Sequence, residues 1–305
     1  MKTLIESLLD NDDELFDKTG DIVLIENFLK ENFTVINRLW QAIENPFEIR
    51  KEHNKFVVYV INGFKVLTMG SIESLTNGLF EWGKSPEIGF DFSKTDIKSL
   101  EGAPEECARF DCSDCKKLTS LANAPKICKN FNCSGCSKLT SLKGVPSNIS
   151  IFACKSCKKL TTLEGGPIEC EEFTCKSCSG LTSLKGMPQK GLKVFNCDFC
   201  VKLKDFKYFP QINTLVDIDC KSCSGLTSLK NLPNCAEFNC SKCTNLTSLK
   251  GGPSSVWKYT CDKCDNLTSL EGAPESCSVF NCRYCNKLPK NKIENLKTKY
   301  RKINY

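Results

Sequence analysis

The stretch CKNFNCSGCSKLTSLKGVP, residues 128–146, is the most informative part of the chain for the fold, because close copies of it recur along most of the sequence. CEEFTCKSCSGLTSLKGMP (170–188) and CAEFNCSKCTNLTSLKGGP (235–253) keep the same residue types in the same order. Successive copies are 20–23 residues apart, since the first cysteine of each C-x-x-C pair falls at positions 112, 133, 154, 175, 197, 220, 240, 261 and 282. Self-similarity at this period is typical of solenoids, in which each repeat forms one coil. We therefore predict a stack of about ten coils, beginning with a cysteine-free copy around Phe90.

Each copy has the alternation expected of one strand and one return leg. The Phe and the first Cys of F-x-C lie two residues apart, so they point to the same face of a strand. Leu246 and Leu249 are expected to point inward from the return leg, and Gly251 and Pro253 mark the turn before the next strand. A single coil buries too little apolar surface to fold alone, so the coils are expected to stack and share one core.

The repeat resembles the leucine-rich repeat, which reads L-x-x-L-x-L-x-x-N/C-x-L. Cys235, Phe238 and Cys240 fill the three leucine places, and Cys243 fills the Asn/Cys place; one extra residue precedes Leu246. The LTSLxGxP endings are similar to those of the short bacterial and phage-type repeats and of the BspA-like group. The resemblance covers about 200 of the 305 residues. It implies a leucine-rich-repeat solenoid with a curved parallel β-sheet and an irregular convex side.

The ends of the chain lack the repeat and are predicted to close the stack. Residues 1–86 are expected to form a small α+β N-terminal cap, with a helix over 21–33 that has Asp21 as N-cap and a hairpin over 55–69 that turns at Asn62-Gly63. The repeats occupy residues 87–286.

Residues 287–305 are predicted to form a basic C-terminal cap or tail. Ile293, Leu296 and Tyr300 are expected to cover the last coil, while the lysines face water. The net charge of +6 is uneven: nine basic and 14 acidic residues give residues 1–86 a charge of −5, and seven basic residues with one glutamate give the tail +6.

The sequence contains neither the pattern of a secretory signal nor a run of about 18 apolar residues, which a membrane span requires. We therefore expect a cytoplasmic protein, in the host cytoplasm if the origin is viral. Free thiols or metal ligands are expected there rather than disulfides.

The 23 cysteines allow two interpretations. Nine C-x-x-C pairs have a spacing that zinc sites use, whereas cysteine also serves as a small buried apolar residue. The five unpaired cysteines share a place with Ile149, Leu192, Leu215 and Val256 in other copies, which favours the structural role. We therefore predict no metal and no cofactor, with zinc and redox roles as alternatives. The predicted structural cysteine ladder comprises Cys112, Cys115, Cys133, Cys136, Cys154, Cys157, Cys175, Cys178, Cys197, Cys200, Cys220, Cys223, Cys240, Cys243, Cys261, Cys264, Cys282 and Cys285.

Binding is expected on the concave strand face or on the irregular coil at 197–220. The residue after each first cysteine is basic in the middle coils, and the irregular coil contains aromatic residues without an evident place in the repeat. Exposed aromatics are enriched at binding hot spots. The candidate partner-binding residues are Lys155, Lys176, Lys221, Phe199, Tyr208, Phe209, Trp257 and Tyr284.

Catalysis has little support, because His53 is the only histidine and the chain has no phosphate-binding glycine motif. The resemblance instead implies a protein that binds another protein, and a phage or other viral origin would make that partner a host factor or a virion component. Two alternatives are a zinc-binding scaffold and a polyanion-binding protein that uses the basic tail. Nucleic acid is not the expected partner, since aromatics are not interleaved with the tail lysines.

Overall fold

The chain forms a parallel β-solenoid of about 11 turns with almost no helix. The structure is a computed structural model that describes residues 15–69, 71–213, 215–294 and 299–305. The prediction of a repeat solenoid is therefore confirmed.

The elements follow one another in a simple order. The two helices of the described residues are α1 (Leu15–Asn32) and α2 (Lys290–Glu294). The strands are β1 (Phe33–Ile36), β2 (Phe47–Glu52), β3 (Lys55–Val60), β4 (Lys65–Thr68), β5 (Glu81–Trp82), β6 (Ser85–Asp91), β7 (Glu106–Asp111), β8 (Ile127–Asn132), β9 (Asn148–Ala153), β10 (Glu169–Thr174), β11 (Val194–Asn196), β12 (Asp217–Asp219), β13 (Glu237–Asn239), β14 (Ser255–Thr260), β15 (Ser276–Asn281) and β16 (Lys302–Asn304).

One 13-stranded sheet runs the length of the solenoid in the order β1-β4-β6 and then consecutively to β16. Its pairs are parallel except for β1 with β4. The register places equivalent residues of neighbouring coils side by side, as in the pairing of Phe110 with Phe131 and of Phe152 with Phe173. Residues about 21 positions apart in sequence are therefore direct neighbours in space.

An aromatic column fills the core behind this sheet. The rings of Phe110 and Phe131 stack at 5.5 Å between centroids, and Phe131 stacks on Phe152 at 6.1 Å. Each ring is almost fully buried, as are the cysteines and most leucines of the coils. Ile218 takes the aromatic place in one coil, and there the ring of Phe209 packs edge-on against Phe195 at 5.3 Å. Phe209 thus supplies ring volume beside the coil that lacks an aromatic residue.

The N-terminal segment differs from the sequence-based expectation in two details. Helix α1 already includes Leu15, so Asp21 lies inside the helix and the predicted N-cap is wrong. The predicted hairpin is also wrong: β3 pairs antiparallel with β2, whereas β4 pairs with β1 and β6. Asn62-Gly63 instead lies on the connection between the two sheets, because β3 belongs to the three-stranded sheet and β4 to the long one.

At the other end, Ile293 and Tyr300 are buried against the last coil. The Tyr300 ring stacks on Phe280 at 5.3 Å, and its hydroxyl donates a hydrogen bond to the carbonyl of Pro274. Leu296 lies outside the described residues. Strand β16 then adds a further parallel strand beside β15.

Candidate partner-binding surfaces

The second cysteine of each pair forms a hydrogen bond between coils. The thiol of Cys136 donates to the carbonyl of Cys112 at 3.1 Å, and the thiol of Cys157 donates to the carbonyl of Cys133 at 3.2 Å. The same contact, at 3.0–3.2 Å, is made by Cys178, Cys200, Cys223, Cys243, Cys264 and Cys285. Because a buried carbonyl without a donor is costly, these contacts explain why the second cysteine recurs in every copy.

In the cysteine-free coil, a different side chain occupies the position of the second cysteine. Thr95 occupies the place of the second cysteine there, and its hydroxyl donates to the carbonyl of Phe92 at 2.7 Å. Cys115 of the next coil donates to the same carbonyl at 3.2 Å. Thr95 donates within its own coil and Cys115 donates from the next coil, so both side chains act as donors to a backbone carbonyl at this corner.

The thiols are buried, and burial raises the pKa of several of them. All 23 cysteines are free and buried. Burial raises the pKa of Cys235 and that of Cys170 to about 12 each, and the pKa of Cys115 to about 11. Thiolates are the reactive and metal-binding form of cysteine. Within the part of the chain that the structure describes, no three or more His, Cys, Asp or Glu side chains are grouped so that they could hold a metal ion.

The small polar row that follows each inward Phe is engaged in its own hydrogen bonds. Asn132 accepts from the backbone N–H of Ser134 at 3.0 Å and donates to Asp111 of the neighbouring coil at 3.0 Å. Asn239 accepts from the N–H of Ser241 at 3.0 Å. These side chains close the turn after the strand, so their recurrence has a structural cause.

The residues that follow each first cysteine form a row that is basic in the middle coils. A carboxylate in the same row partly neutralises its positive charge. The Nζ of Lys176 lies 3.7 Å from Asp198, and Asp198 also accepts from the backbone N–H of Lys221 at 2.8 Å. Lys155 lies one coil before Lys176 and is exposed. The three predicted lysines therefore flank an acidic side chain and do not form a continuous positive surface.

Phe199 and Tyr284 lie at corners of the solenoid, between the two cysteines of their pairs. Both have left-handed backbone conformations, with φ of 60° and 61°, as have Ser156 and other residues at this place. The Tyr284 side chain is 65% exposed and lies under the ammonium of Lys263 at 5.3 Å. Both aromatic rings are accessible, as the sequence predicted.

The irregular coil contains a groove of about 540 Å³, which we call the irregular-coil groove. Tyr208 is 40% exposed on its rim, whereas Phe209 is only 5% exposed and forms part of its floor. The interpretation of Phe209 as a surface aromatic is therefore wrong: it precedes a proline, like Met187 before Pro188, at a place that points into the core. The lining residues are Gly165, Gly166, Pro167, Ile168, Gly186, Met187, Gln189, Lys207, Tyr208 and Phe209.

Trp257 is exposed on the outward side of strand β14, with 56% of its surface accessible. Its neighbours were missed by sequence reasoning, which considered the residues after each first cysteine and the aromatic residues. Val216 and Ala236 occupy the same place in the two preceding coils, two residues before the inward aromatic or aliphatic residue, and both are exposed. Alignment of the copies at that place would have revealed an apolar run in otherwise polar surroundings.

No protein-family model matches this chain, and no curated protein or solved structure is similar to it at a significant level. Among the described residues, neither helix has the length and apolar character needed to cross a bilayer.

Proposed function

We propose that this chain is a leucine-rich-repeat-type protein that binds another protein, without catalysis, through the irregular-coil groove. The observation that carries the proposal is the exposed ring of Tyr208 beside an apolar floor. The volume of the groove, about 540 Å³, falls in the range of ~300–1,000 Å³ that is usual for ligand pockets. Tyrosine is among the residues most enriched at binding hot spots.

The groove exists because two coils have glycine where the irregular coil has Tyr208. Each of the three residues stands two positions before a proline: Gly165 before Pro167, Gly186 before Pro188, and Tyr208 before Pro210. Gly165 and Gly186 have φ of 84° and 91°, and a Cβ on Gly186 would approach the backbone of Glu164 to 2.5 Å. Glycine is therefore required at these corners, and the lack of side chains leaves space beside the tyrosine ring.

The walls and floor favour an apolar side chain of a partner. Pro167, Met187 and Phe209 are buried in the floor, and Ile168 is an exposed apolar residue of the lining. Lys207 and Gln189 are the polar residues at the rim. An apolar anchor with a polar rim is the usual composition of a protein interface.

Capture of partners from native lysate, with identification by mass spectrometry, tests the proposal. The variant is Tyr208→Ser, and the matched control is Phe199→Ser, which removes an exposed aromatic from the same coil but outside the groove. We expect a stoichiometric partner that is retained by the control and lost by Tyr208→Ser. A partner that both variants retain equally, or no partner at all, would contradict the proposal.

The zinc-scaffold and polyanion alternatives, like the phage or viral origin, stay predictions. Metal analysis of the purified protein tests the first: about one zinc per two coils would support it. Retention on an anionic polymer that falls steeply with salt would support the second.

A further inference from the structure

An apolar stripe crosses three coils on the outward side of the sheet. Val216, Ala236 and Trp257 are neighbours in it, because the N–H of Ala236 donates to the carbonyl of Val216 at 2.9 Å and the N–H of Trp257 donates to the carbonyl of Ala236 at 2.8 Å. We call these three residues the Trp257 stripe. The four coils before it have polar residues at the same place, namely Lys129, Ser150, Glu171 and Lys193. The stripe thus stands out from the polar coils that precede it.

Charged side chains border the stripe one residue farther along the chain, namely Asp217, Glu237 and Lys258. Asp217 and Glu237 are direct partners in the parallel pairing of β12 with β13, so two like charges lie side by side. Glu237 is paired with Lys258 at 2.9 Å. Asp217 has no ion pair among the described residues, and Asp219 extends the negative charge along the same strand.

These carboxylates line a depression in the sheet surface. Its volume is about 260 Å³, and Asp217, Asp219, Glu237 and Lys258 contribute to its lining. Burial raises the pKa of Asp217, and the neighbouring Glu237 carboxylate raises it further. Burial followed by the nearby Asp198 carboxylate raises the pKa of Asp219. Adjacent like charges in a sheet are destabilising, so a cation placed here would be favourable.

We propose that the Trp257 stripe and the adjoining carboxylates bind an extended, basic segment of a partner protein. An apolar side chain of that segment packs on Trp257, and a lysine or arginine enters the depression beside Asp217. Neighbouring strands are ~4.8 Å apart and an extended chain advances ~3.3 Å per residue. The three-coil stripe therefore matches a segment of about three residues, in which the apolar and the basic side chains are close together.

Three features of the surface support this partner chemistry. Tryptophan is the residue most typical of binding hot spots, and this one lies beside further apolar surface. In the lining of the depression Asp217, Asp219 and Glu237 outnumber Lys258, so its net charge is negative, which favours a positive partner and disfavours an acidic one. Val216 and Ala236 directly precede the β12 and β13 residues that line the depression, and Trp257 lies in β14, so one short segment reaches both. The site differs from the irregular-coil groove, which lies on residues 165–209.

The test uses the full chain and a synthetic peptide with a ten-residue core in which isoleucine and arginine alternate at every second position, separated by serines, between Gly-Ser ends. In an extended chain this spacing places isoleucine and arginine on the same face. Two matched peptides replace the arginines with glutamate or the isoleucines with serine. Binding is followed by tryptophan fluorescence in a Trp40→Phe background. Since Trp82 is buried, Trp257 is then the exposed tryptophan whose emission responds to binding. We expect saturable binding of the isoleucine–arginine peptide with a blue shift, and binding at least about tenfold weaker for both matched peptides.

Variants locate the site, with the arginine peptide labelled so that binding is read by fluorescence anisotropy. Trp257→Ala and the double variant Asp217→Asn/Asp219→Asn are each expected to weaken binding at least about fivefold. The controls are Trp40→Ala, an exposed tryptophan elsewhere, and Glu172→Gln, an exposed carboxylate in the same row of an earlier coil. Equal binding of the glutamate peptide, no binding of the arginine peptide, or equal losses in the controls would overturn the proposal. Tyr208→Ser is expected to keep full peptide binding, so the outcome is independent of the irregular-coil groove.

Discussion

Two neighbouring regions of the solenoid contrast in regularity. In residues 107–188, which we call the regular stack, strands β7 to β10 are six residues long and the phenylalanines form an unbroken column. In residues 189–239, the irregular stack, strands β11 to β13 are three residues long and Ile218 interrupts the column. The cysteine contact between coils is nevertheless the same, at 3.2 Å for Cys157 and 3.1 Å for Cys223. The buried contacts, more than the strand length, therefore keep the coils in register.

The largest expected effect concerns the repacked core of the irregular stack. We expect Phe209→Ala to lower the free energy of unfolding by about 3–5 kcal/mol, because it leaves a large cavity beside Phe195. If Phe209 compensates for the missing ring at Ile218, Ile218→Phe should restore part of that loss, although alone it should destabilise by overpacking. Chemical denaturation of the double-mutant cycle measures this coupling. Purely additive effects would show that the two places are independent.

The hydrogen bond from the second cysteine to the preceding coil is expected to contribute similarly to the free energy of unfolding in both stacks. Cys157→Ala in the regular stack and Cys223→Ala in the irregular stack should each cost about 1–3 kcal/mol, since each removes a buried thiol and one of the two donors to a backbone carbonyl. Serine at either position should cost less, because its hydroxyl can donate to the carbonyl that accepts from the thiol. Denaturation midpoints provide the measurement. A serine variant no better than alanine would refute the donor role.

Tyr259, at the inward aromatic position, lies close to Gly252, which precedes a proline. Its hydroxyl is buried without a hydrogen-bond partner in the described chain, and a Cβ at Gly252 would lie 3.1 Å from that hydroxyl oxygen. We expect Tyr259→Phe to stabilise the protein by about 1 kcal/mol, because an unsatisfied polar group is removed. Gly252→Ala should then be better tolerated in the Tyr259→Phe background than in the original chain. Thermal unfolding of the original chain, the two single variants and the double variant measures these effects. A loss of stability in Tyr259→Phe would contradict the argument, because it would mean that the hydroxyl has a stabilising contact.

A smaller effect is expected at the corner between the cysteines. Phe199 in the irregular stack and Ser156 in the regular stack share the left-handed conformation, with φ of 60° and 57°. Such a conformation is unfavourable for a bulky side chain. The change in the free energy of unfolding should therefore be more favourable for Phe199→Gly than for Ser156→Gly. The expected difference between the two variants is about 1 kcal/mol or less. Equilibrium denaturation compares the two, and a larger gain for the serine site would contradict the strain argument.

The smallest effect is electrostatic. Because burial and Glu237 raise the pKa of Asp217 in the folded chain, its ionised form is destabilising, and this penalty is present above the folded-state pKa. Asp217→Asn should therefore be slightly more stable than the original protein at pH values near neutrality. The difference should vanish as the pH falls toward 3.8, the ordinary carboxyl value. Denaturation curves across this pH range would contradict the argument if the difference grew in acid.

The repeat and most of the core residues could be predicted from the amino-acid sequence. A period of 20–23 residues in nine copies predicts stacked coils, and alternation within F-x-C predicts which residues point inward. These are local patterns, so they can be read along the chain. The burial of Ile293 and Tyr300 at the C-terminal end follows from the same apolar pattern.

The contacts between residues of different coils could be identified only in the tertiary structure. Phe209 looked like a surface aromatic, yet its place before a proline points into the core beside Phe195. The Asn62-Gly63 signal for a hairpin was overridden because β3 and β4 joined different sheets. The Trp257 stripe and the carboxylates beside it come from three separate coils. Stacking brings residues about 21 positions apart into contact, and the energies of such contacts depend on lateral neighbours that a single repeat does not contain.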